Sequence, residues 1–433
     1  MQEIHVYAVQ PNGDFVLESP APSAGERNSS NKPYTSVDVI SFLTRRLPYS
    51  LPVLRLLQLG PRNPGTLVIT TPLPLQGPVE GKGEEEKESL TTTVRPEHVW
   101  TMLVVDRANH PATEIWPFSS LEMYHGAAPH ETGPQNAGVL PDNLKDQLPL
   151  MFFEEVLRTA TTQLLGVISH IPVTWQDTTG AKSSAVLLAN VRHTPGSPYC
   201  LFGNTHSTVA ALLARAESDS GGGGLIHQPS VPYGKYVFPV PAKQQEGAEK
   251  KDEQDVGGIL LPEGLVWSTI GPDDYADVMA VNKIIRSPTT LAKLKSAAIR
   301  ETAPRPGGGK PGKAVAFAFA AGDGSVRTLH VDPAYRRQGL AKAVVAKLLG
   351  TGLFEPPRSG PLAARQEVLD ELVSGKKDGD DDVGTALAFA GIEQSNTGSI
   401  KTFQALGGKW LWDVYWIYLD LDRARELAGP KSS

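Results

Sequence analysis

The chain has 433 residues, of which 40% are hydrophobic and 20% are charged, and its formal net charge is -6. This length and composition are typical of a globular protein with room for two domains, whose cores need no disulfide or metal staple. The negative charge and the lack of a Lys/Arg stripe interleaved with aromatics argue against nucleic acid or anionic lipid as a partner. The oligomeric state stays open at this stage.

The single cysteine, Cys200, cannot form an internal disulfide, which indicates a reducing compartment. The N-terminal stretch MQEIHVYAVQPNGDF has neither an apolar signal core nor an Arg-rich amphipathic run. No apolar run approaches the ~20 residues that a membrane-spanning helix needs. We therefore expect a soluble, cytoplasmic protein.

The N-terminal half, residues 1–216, has the pattern of a mixed α/β domain. Short apolar runs rich in β-branched residues predict strands, namely LVITT from Leu67, MLVVD from Met102 and AVLLA from Ala185. Apolar residues at helical spacing predict amphipathic helices over residues 153–164 and, after the candidate N-cap Ser207, over residues 209–213.

Four stretches are dominated by charge, Gly and Pro, and we expect them to be solvated inserts: 81–93, 217–258, 302–313 and 355–384. The second contains GGGG from Gly221 and the charged run EGAEKKDEQD, and it predicts a flexible linker between two domains. The predicted organisation is a domain over 1–216, a linker over 217–258, and a second domain over 259–425 with an acidic insert at 355–384.

The second domain alternates predicted strands and helices. A strand at 265–270 precedes helices at 273–282 and after Ser287-Pro288. The runs AVAFAFA and VRTLHV flank Gly322 and Gly324, which predicts an antiparallel hairpin. A helix from Gly339, a strand TALAFAG, a short helix around Ile400 and an aromatic terminal strand WLWDVYWIYLDL complete a mixed sheet.

The segment VRTLHVDPAYRRQGLA, from Val326 to Ala341, joins a strand to a helix through a turn rich in Arg and Gly. The first amides of a helix have no intrahelical partner and lie at the positive end of its dipole, so they can bind a pyrophosphate. Gly339 would let the backbone approach closely, and Arg336 and Arg337 would add cationic charge. The segment predicts a phosphate site.

This segment resembles the coenzyme A signature of the GNAT superfamily of N-acyltransferases: Arg or Gln, two residues, Gly, one residue, then Gly or Ala. Arg336, Gly339 and Ala341 fill it, and Asn396 followed by FQALGG is similar to a later asparagine and helix end of that family. PDDYADVMAVNK from Pro272 and the block GDGSVRTLHVDPAYRRQGLA are similar to the glycine N-acyltransferase branch. The resemblance covers residues 265–421.

The resemblance implies an α/β (α+β) fold with a mixed, mostly antiparallel GNAT-type sheet flanked by helices. Weaker echoes in LPYSLPVLR at Leu47 and LVVD at Leu103 make the first domain a candidate degenerate copy. It further implies an acyl-CoA co-substrate, acetyl-CoA by superfamily frequency, with an amine acceptor and no metal.

For the site, the resemblance implies a pantetheine arm between strands ending near Val331 and Ala390, with a backbone amide of Leu329 or Val331 binding the acyl carbonyl. The residues implied to bind the coenzyme are Leu329, Val331, Arg336, Arg337, Gln338, Gly339, Leu340, Ala341, Asn396 and Phe403.

Catalytic groups are harder to assign from the sequence. In the glycine N-acyltransferase branch a glutamate stands at the position of Ser325, so Ser325 is a candidate catalytic residue by position, although it cannot serve as a comparable base. Asp323, His330 and Asp332 are the nearby substitutes. His330 has the most suitable ordinary pKa, ~6.5, although its place on an alternating strand favours a partly buried or surface imidazole over a base. Phe403 stands where many members carry a tyrosine that protonates the departing thiolate. Tyr335 and Tyr415 are alternative donors, although packing is the favoured role for both.

Two functions remain open on this evidence. The first is an N-acyltransferase that acts on the amine of a small molecule, an amino acid or a protein. The second is a catalytically weak coenzyme A-binding regulatory or scaffold protein, because Ser325 and Phe403 replace two residues used in catalysis.

Overall fold

The structure is a computed structural model that describes residues 3–18, 33–60, 63, 65–74, 95–107, 113–124, 154–172, 198–229, 231–240, 261–282, 287–303, 312–357, 359–365, 367–368 and 386–429. The strands of the N-terminal half are β1 (His5–Val9), β2 (Phe15–Leu17), β3 (Leu67–Thr70), β4 (Thr101–Val105), β5 (Ile115–Ser119), β6 (Tyr199–His206), β7 (Ile226–Pro229) and β8 (Tyr233–Pro239). Its helices are α1 (Ser36–Thr44), α2 (Leu51–Leu59), α3 (Glu154–Ser169) and α4 (Ser207–Asp219).

The C-terminal half repeats this alternation. Its strands are β9 (Leu265–Ser268), β10 (Lys295–Glu301), β11 (Ala314–Ala320), β12 (Val326–Val331), β13 (Leu387–Glu393) and β14 (Lys409–Asp420). Its helices are α5 (Tyr275–Val281), α6 (Pro288–Lys293), α7 (Leu340–Leu349), α8 (Thr397–Gln404) and α9 (Leu421–Ala428).

Local sequence explains where several of these helices begin. Thr35 and Asp38 form a reciprocal capping box at the start of α1. Ser287 accepts a hydrogen bond from the amide of Thr290 and is followed by Pro288 at the first turn of α6. Asp420 accepts from the amides of Asp422 and Arg423 at the start of α9. These side chains satisfy amides that have no partner within the helix.

The two halves pair their strands in the same order. In the N-terminal half β1, β3, β4 and β5 are successive antiparallel neighbours, and β5 then lies parallel to β6. In the C-terminal half β9, β10, β11 and β12 are successive antiparallel neighbours, and β12 meets β13 in a parallel bridge. The repeated pattern supports an internal duplication.

The last strand of each half completes the sheet of the other half. β8 pairs with β13, β14 pairs with β6, and β8 and β14 pair with each other, all antiparallel. The halves therefore share one sheet of the order β13-β8-β14-β6-β5-β4-β3-β1-β2, while β9 to β12 form a second sheet. Neither half could form this arrangement alone, because each lacks the strand that the other supplies.

Alternate side chains of these strands enter separate cores. Helices α3, α4 and α9 cover one face of the N-terminal half around Phe202, and α1 and α2 cover the other around Val104. In the C-terminal half α7 packs on β11 around Ala318, and α5 and α6 cover Phe317 and Phe319 on the opposite face. This three-layer arrangement is expected when a sheet buries both faces.

The predicted fold class is confirmed: the sheet is mixed, mostly antiparallel and flanked by helices. The predicted strands at Leu67 and Met102 are present, as is the hairpin of β11 and β12. The predicted strand at Ala185 and the insert at 81–93 lie outside the described residues.

Three expectations need correction. Within 217–258, the described residues form β7 and the buried strand β8 instead of a flexible linker, because YGKYVFP is apolar enough to fill the centre of the sheet. At the start of the insert 355–384, Leu362 and Val368 are buried. The N-cap of α4 is His206, which accepts from the amide of Thr208, and Ser207 is the first helical residue.

None of the described helices is long and apolar enough to cross a membrane.

We expect Asp274→Asn to lower the free energy of unfolding by about 3 kcal/mol, because it leaves a buried guanidinium without its counter-charge. Arg300 donates to both carboxylate oxygens of Asp274, at 3.0 and 2.8 Å, and this pair attaches the start of α5 to β10. Urea unfolding measures the loss. Asp273→Asn, at the exposed neighbouring position, is the control. Equal free energies of unfolding for the two variants would contradict a stabilising role for the Asp274–Arg300 pair.

Candidate active site

The centre of the candidate site is the place where β12 and β13 part. Among the described residues, the ladder pairing between these parallel strands consists of one bridge, Ser325 with Phe389, and the amide of Phe389 donates to the carbonyl of Gly324 at 3.2 Å. Beyond that bridge β12 belongs to one sheet and β13 to the other. An opening between two strands exposes main-chain edges that an extended ligand can use.

A β-bulge lies in β12 beside this opening. The register shifts so that Phe317 is opposite His330 while Phe319 is opposite Arg327, and Thr328 adopts a φ of 54°. A bulge bends its strand and increases the local twist, which turns the end of β12 away from β13. The parting of the strands therefore has a local cause in β12.

The bulge also decides which amides border the opening. The amide of Asp332 donates to Val315 of β11 at 2.8 Å, so it points away from β13. Because successive amides of a strand point to opposite edges, the amide of Val331 borders the opening, and the same alternation applies to Leu329. These are the two amides that the sequence predicted for the acyl carbonyl.

The turn between β12 and α7 is exposed and carries unpaired cationic charge. Residues 336–339 are exposed, and neither Arg336 nor Arg337 forms an ion pair with a described carboxylate. Arg337 and Gly339 adopt φ values of 65° and 79°, and no atom lies within 4 Å of where a Cβ on Gly339 would stand. The start of α7 thus offers an open backbone cradle that fits a diphosphate.

Other predicted coenzyme-binding residues have structural roles as well. Leu340 is buried in the core under α7, which anchors the turn. Asn396 caps α8 by accepting from the amide of Ser399 at 3.1 Å. Phe403 is buried, with its ring 5.1 Å from that of Phe238 on β8. Gln338 is exposed and Ala341 is half-buried on the same turn.

Asp323 is the hub of a buried polar cluster at the base of the opening. Its side chain accepts from the amide and hydroxyl of Ser325, at 3.1 and 2.5 Å, and is paired with the guanidinium of Arg327. It also accepts from Trp116 at 3.4 Å and from Asn204 at 3.2 Å. Burial raises the pKa of Asp323, but Arg327 and these hydrogen bonds outweigh burial and lower it. Asp323 is therefore a weak base.

Ser325 and His330, the other two predicted catalytic residues, lie on this strand but apart from each other. Ser325 is buried and receives a hydrogen bond from Nε of Arg327 at 2.6 Å. His330 stacks on Phe317 with 5.2 Å between ring centroids, and partial burial together with the charge of Arg336 lowers its pKa. The structure thus brings Asp323 and Ser325 together and leaves His330 beyond the bulge.

The remaining predicted acid-base groups have structural partners. Asp332 forms an ion pair with Lys313 at 2.6 Å, which lowers the pKa of Asp332. The hydroxyl of Tyr335 donates to Glu301 at 2.7 Å. Tyr415 is buried in the core of the N-terminal half, away from Phe403, so it packs and does not face the opening.

Lys235 is a residue that sequence reasoning missed. It lies on β8, opposite Gly391 of β13 and Trp412 of β14, and is 1% exposed. Its Nζ lies 4.0 Å from the centroid of the Phe389 ring. Burial lowers the pKa of Lys235 to about 7, against the charges of Asp323 and Glu122. Lys235 lies in a stretch that the sequence predicts to be a linker, and no motif surrounds it. The sequence therefore gives no signal that identifies it as a site residue.

Glu122, which follows β5, is the second buried ionisable group of this region. It accepts from the amide of Ser119 at 2.8 Å, and burial raises its pKa to about 8. Its neutral form therefore predominates at neutral pH. In the part of the chain that the structure describes, no group of three His, Cys, Asp or Glu side chains is placed to hold a metal ion.

We expect Lys235→Met to stabilise the fold most below about pH 7, by a few kcal/mol. The pKa of Lys235 falls from 10.5 to about 7 on folding. Below pH 7 both states are protonated and the folded state carries the full cost of a buried charge. Between pH 7 and 10.5 only the unfolded state binds the proton, so wild-type stability rises with pH.

The measurement is urea unfolding of wild type and Lys235→Met across this pH range. The advantage of the variant should shrink as pH rises and vanish near the upper end. Val237→Met, two residues along on the same face of β8, is the control, and its difference from wild type should not change with pH. A pH-independent difference for Lys235→Met would contradict the depressed pKa.

Comparison with known sequences places the N-terminal half in a described family. Residues 27–236 match the family described as the acyl-CoA N-acyltransferase verG N-terminal domain. No curated protein sequence matches the chain. The matched range ends within β8 and contains Lys235.

Solved structures show a distant likeness. A Drosophila protein solved as a structural-genomics target is 13% identical, with 90% of this chain and 97% of that chain covered and a TM-score of 0.41. A putative GNAT-family acetyltransferase from Novosphingobium aromaticivorans is 15% identical, covering 45% and 66%, with a TM-score of 0.27. A tandem GNAT protein from the clavulanic acid biosynthesis pathway is 14% identical, covering 54% and 65%, with a TM-score of 0.28.

These likenesses are too distant to transfer any residue role. The family assignment rests on the match over 27–236, and the strand order and signature turn of the C-terminal half agree with it. The match over residues 27–236 assigns the N-terminal half to a family of acyl-CoA N-acyltransferase domains and supports a GNAT-type N-acyltransferase.

Proposed function

We propose that this chain transfers an acyl group from acyl-CoA to an amine, at a site between β12 and β13 of its C-terminal half. The observation that carries the proposal is the single bridge between Ser325 and Phe389, beyond which the strands part next to an exposed, cationic helix start. An extended arm can lie in such an opening while its diphosphate is bound at the start of α7.

The residues of the turn divide the binding of the diphosphate between them. Main-chain amides at the start of α7 donate to phosphate oxygens, and Gly339 permits their close approach because it has no side chain. Arg336 and Arg337 add charge that no described carboxylate neutralises. Leu340 keeps the helix start in place by its burial.

The corresponding helix of the N-terminal half supports an assignment to the C-terminal half alone. Helix α3, which follows β5 as α7 follows β12, carries Glu154 and Glu155 in its first turn. Two carboxylates at a helix start repel a diphosphate, whereas Arg336 and Arg337 attract one. One coenzyme per chain is therefore the proposed stoichiometry.

When bound, acyl-CoA would supply an activated thioester at the opening. The amide of Leu329 or Val331 would donate to the acyl carbonyl oxygen, on which negative charge grows as the amine attacks. One fixed donor of this kind lowers such a barrier by about 3 kcal/mol. Phe403 is buried against Phe238 and donates no proton, so the thiolate leaves on the strength of its own acidity, with a pKa near ~8.5 if it resembles cysteine.

The proposal extends to the class of acyl donor and the class of acceptor. Acetyl-CoA is the default donor, and the acceptor is the amine of a small molecule, an amino acid or a protein, in line with the resemblance of the C-terminal half to the glycine N-acyltransferase branch. The lone, buried Cys200 supports a reducing, cytoplasmic location.

We expect Gly339→Val to weaken coenzyme A binding at least tenfold, because a branched side chain would occupy the cradle that a diphosphate needs. Isothermal calorimetry with coenzyme A measures the change. Gly264→Val is a matched control: Gly264 has a φ of 81°, also with no atom within 4 Å of a Cβ, and lies before β9, away from the turn. Both variants carry similar backbone strain, so equal weakening would contradict the site.

Catalysis is tested by release of free thiol. We expect the purified chain to release thiol from acetyl-CoA when it is offered a panel of amines that includes glycine, and mass spectrometry should find the matching amide. Tight coenzyme A binding with no thiol release, on this panel or with longer acyl-CoA donors, would favour a coenzyme A-binding regulatory or scaffold protein instead.

A further inference from the structure

His330 is the ordinary base on β12, but it lies beyond the bulge and stacks on Phe317, apart from Ser325 and Asp323 at the bridge. Ser325 lies directly before β12, but a serine hydroxyl keeps its own proton at neutral pH and does not accept another. The Asp323 carboxylate accepts four hydrogen bonds, two of them from Ser325, and forms an ion pair with Arg327. These contacts lower its pKa and make it a weak base. An attacking amine must still lose a proton, since the product is a neutral amide.

We infer that Lys235, which the N-terminal half contributes through β8, is the group that accepts this proton, directly or through one water molecule. The inference rests on the proposed function. The N-terminal half would then take part in the chemistry, while the C-terminal half binds and orients the acyl-CoA.

The placement of Lys235 is the first support. Phe389 is the bridge partner of Ser325, and Nζ of Lys235 lies 4.0 Å from the centroid of the Phe389 ring. The amine is therefore adjacent to the pair of residues at which β12 and β13 part. Val237, the next residue on that face of β8, contacts Phe389 and Leu387 in an apolar cluster, so Lys235 is the polar end of that face.

The absence of an ion pair to Lys235 among the described residues is the second support. Asp323 and Glu122 act on Lys235 only at a distance, and no carboxylate of the described residues lies within 4.0 Å of its Nζ. A buried ammonium is normally paired, whereas a neutral amine against aromatic rings needs no counter-ion. With its pKa at about 7, the amine has a lone pair available at neutral pH.

The charged groups around the amine come from several elements. Asp323 on the β11-β12 hairpin and Glu122 after β5 raise its pKa, while burial lowers it. Arg327 forms an ion pair with Asp323 and so offsets its charge. The His206 ring lies 5.3 Å from the ring of Trp412, which also faces Lys235. Because Asp323 is compensated and Glu122 has a pKa raised to about 8, the surroundings impose little net charge on Lys235 at neutral pH.

The acceptor nitrogen forms a bond to the acyl carbon, the carbon-sulfur bond breaks, and its electron pair leaves on sulfur. The proton of the attacking nitrogen passes to Nζ of Lys235, which becomes an ammonium. That ammonium returns the proton to the thiolate or to solvent, and Lys235 is neutral again for the next turnover.

The test is the pH dependence of kcat/KM for thiol release, measured with an acceptor whose own amine titrates well below pH 7, so that the acceptor stays neutral across the range. The wild type should gain activity as the pH rises through about 7. Lys235→Met should lose about 10²-fold or more in rate, and with it this rise. Lys235→Arg should lose as much, because arginine keeps the charge but cannot accept a proton.

Three further measurements make the result decisive. Val237→Met should keep the rate and the profile of wild type, and coenzyme A binding to Lys235→Met should stay within about threefold of wild type by calorimetry. Retention of the rise near pH 7 in Lys235→Met, or its loss in His330→Gln instead, overturns the inference and leaves the proposed function standing. Absence of thiol release from wild type with every donor and amine overturns both.

Discussion

The parting of β12 from β13 after a single bridge is the constraint on which the rest of the site depends. A continuous ladder would use the amides of Leu329 and Val331 in strand pairing and would leave no space for a ligand. The bulge at Thr328 turns β12 away, and the pairing of β13 with β8 holds β13 on the other side. The opening is thus a property of two strands, each held by a different partner.

The base of that opening is held by groups from both halves. Arg55 on α2 packs against Gly324, where a Cβ would come within 2.7 Å of its side chain, and donates to the carbonyl of Leu387. Trp116 and Asn204, on β5 and β6, donate to Asp323. Such a network leaves little freedom to the hairpin, since any shift would expose buried polar groups without partners. The N-terminal half therefore positions the start of β12.

The two halves share one strand order but differ at the helix starts that follow it. Both repeat one order of strands, yet acidic residues open α3 and basic residues precede α7. The exchange of β8 and β14 made the two copies inseparable, because each completes the sheet of the other. Lys235 on β8 is one side chain of the N-terminal half that this exchange brings beside β13.

Local signals carried much of the C-terminal half. Glycines at 322 and 324 with the flanking apolar runs determined the hairpin, Ser287-Pro288 determined the start of α6, and the spacing of Arg336, Gly339 and Ala341 determined the helix-start cradle. These features depend on dihedral preferences and capping hydrogen bonds among neighbours in the chain, so the sequence alone was sufficient. The prediction of a linker was wrong over β7 and β8, because the sequence shows the apolar patch at 233–239 only as an isolated run within a polar stretch.

Only the tertiary structure decided that this patch is the central strand β8, that it is shared between the halves, and that Lys235 lies beside Phe389. Pairing of β8 with β13 and β14 brings together residues more than 150 positions apart, as in the register of Lys235 with Gly391 and Trp412. No local preference encodes such pairing, because it is the burial of both faces of the shared sheet that selects it.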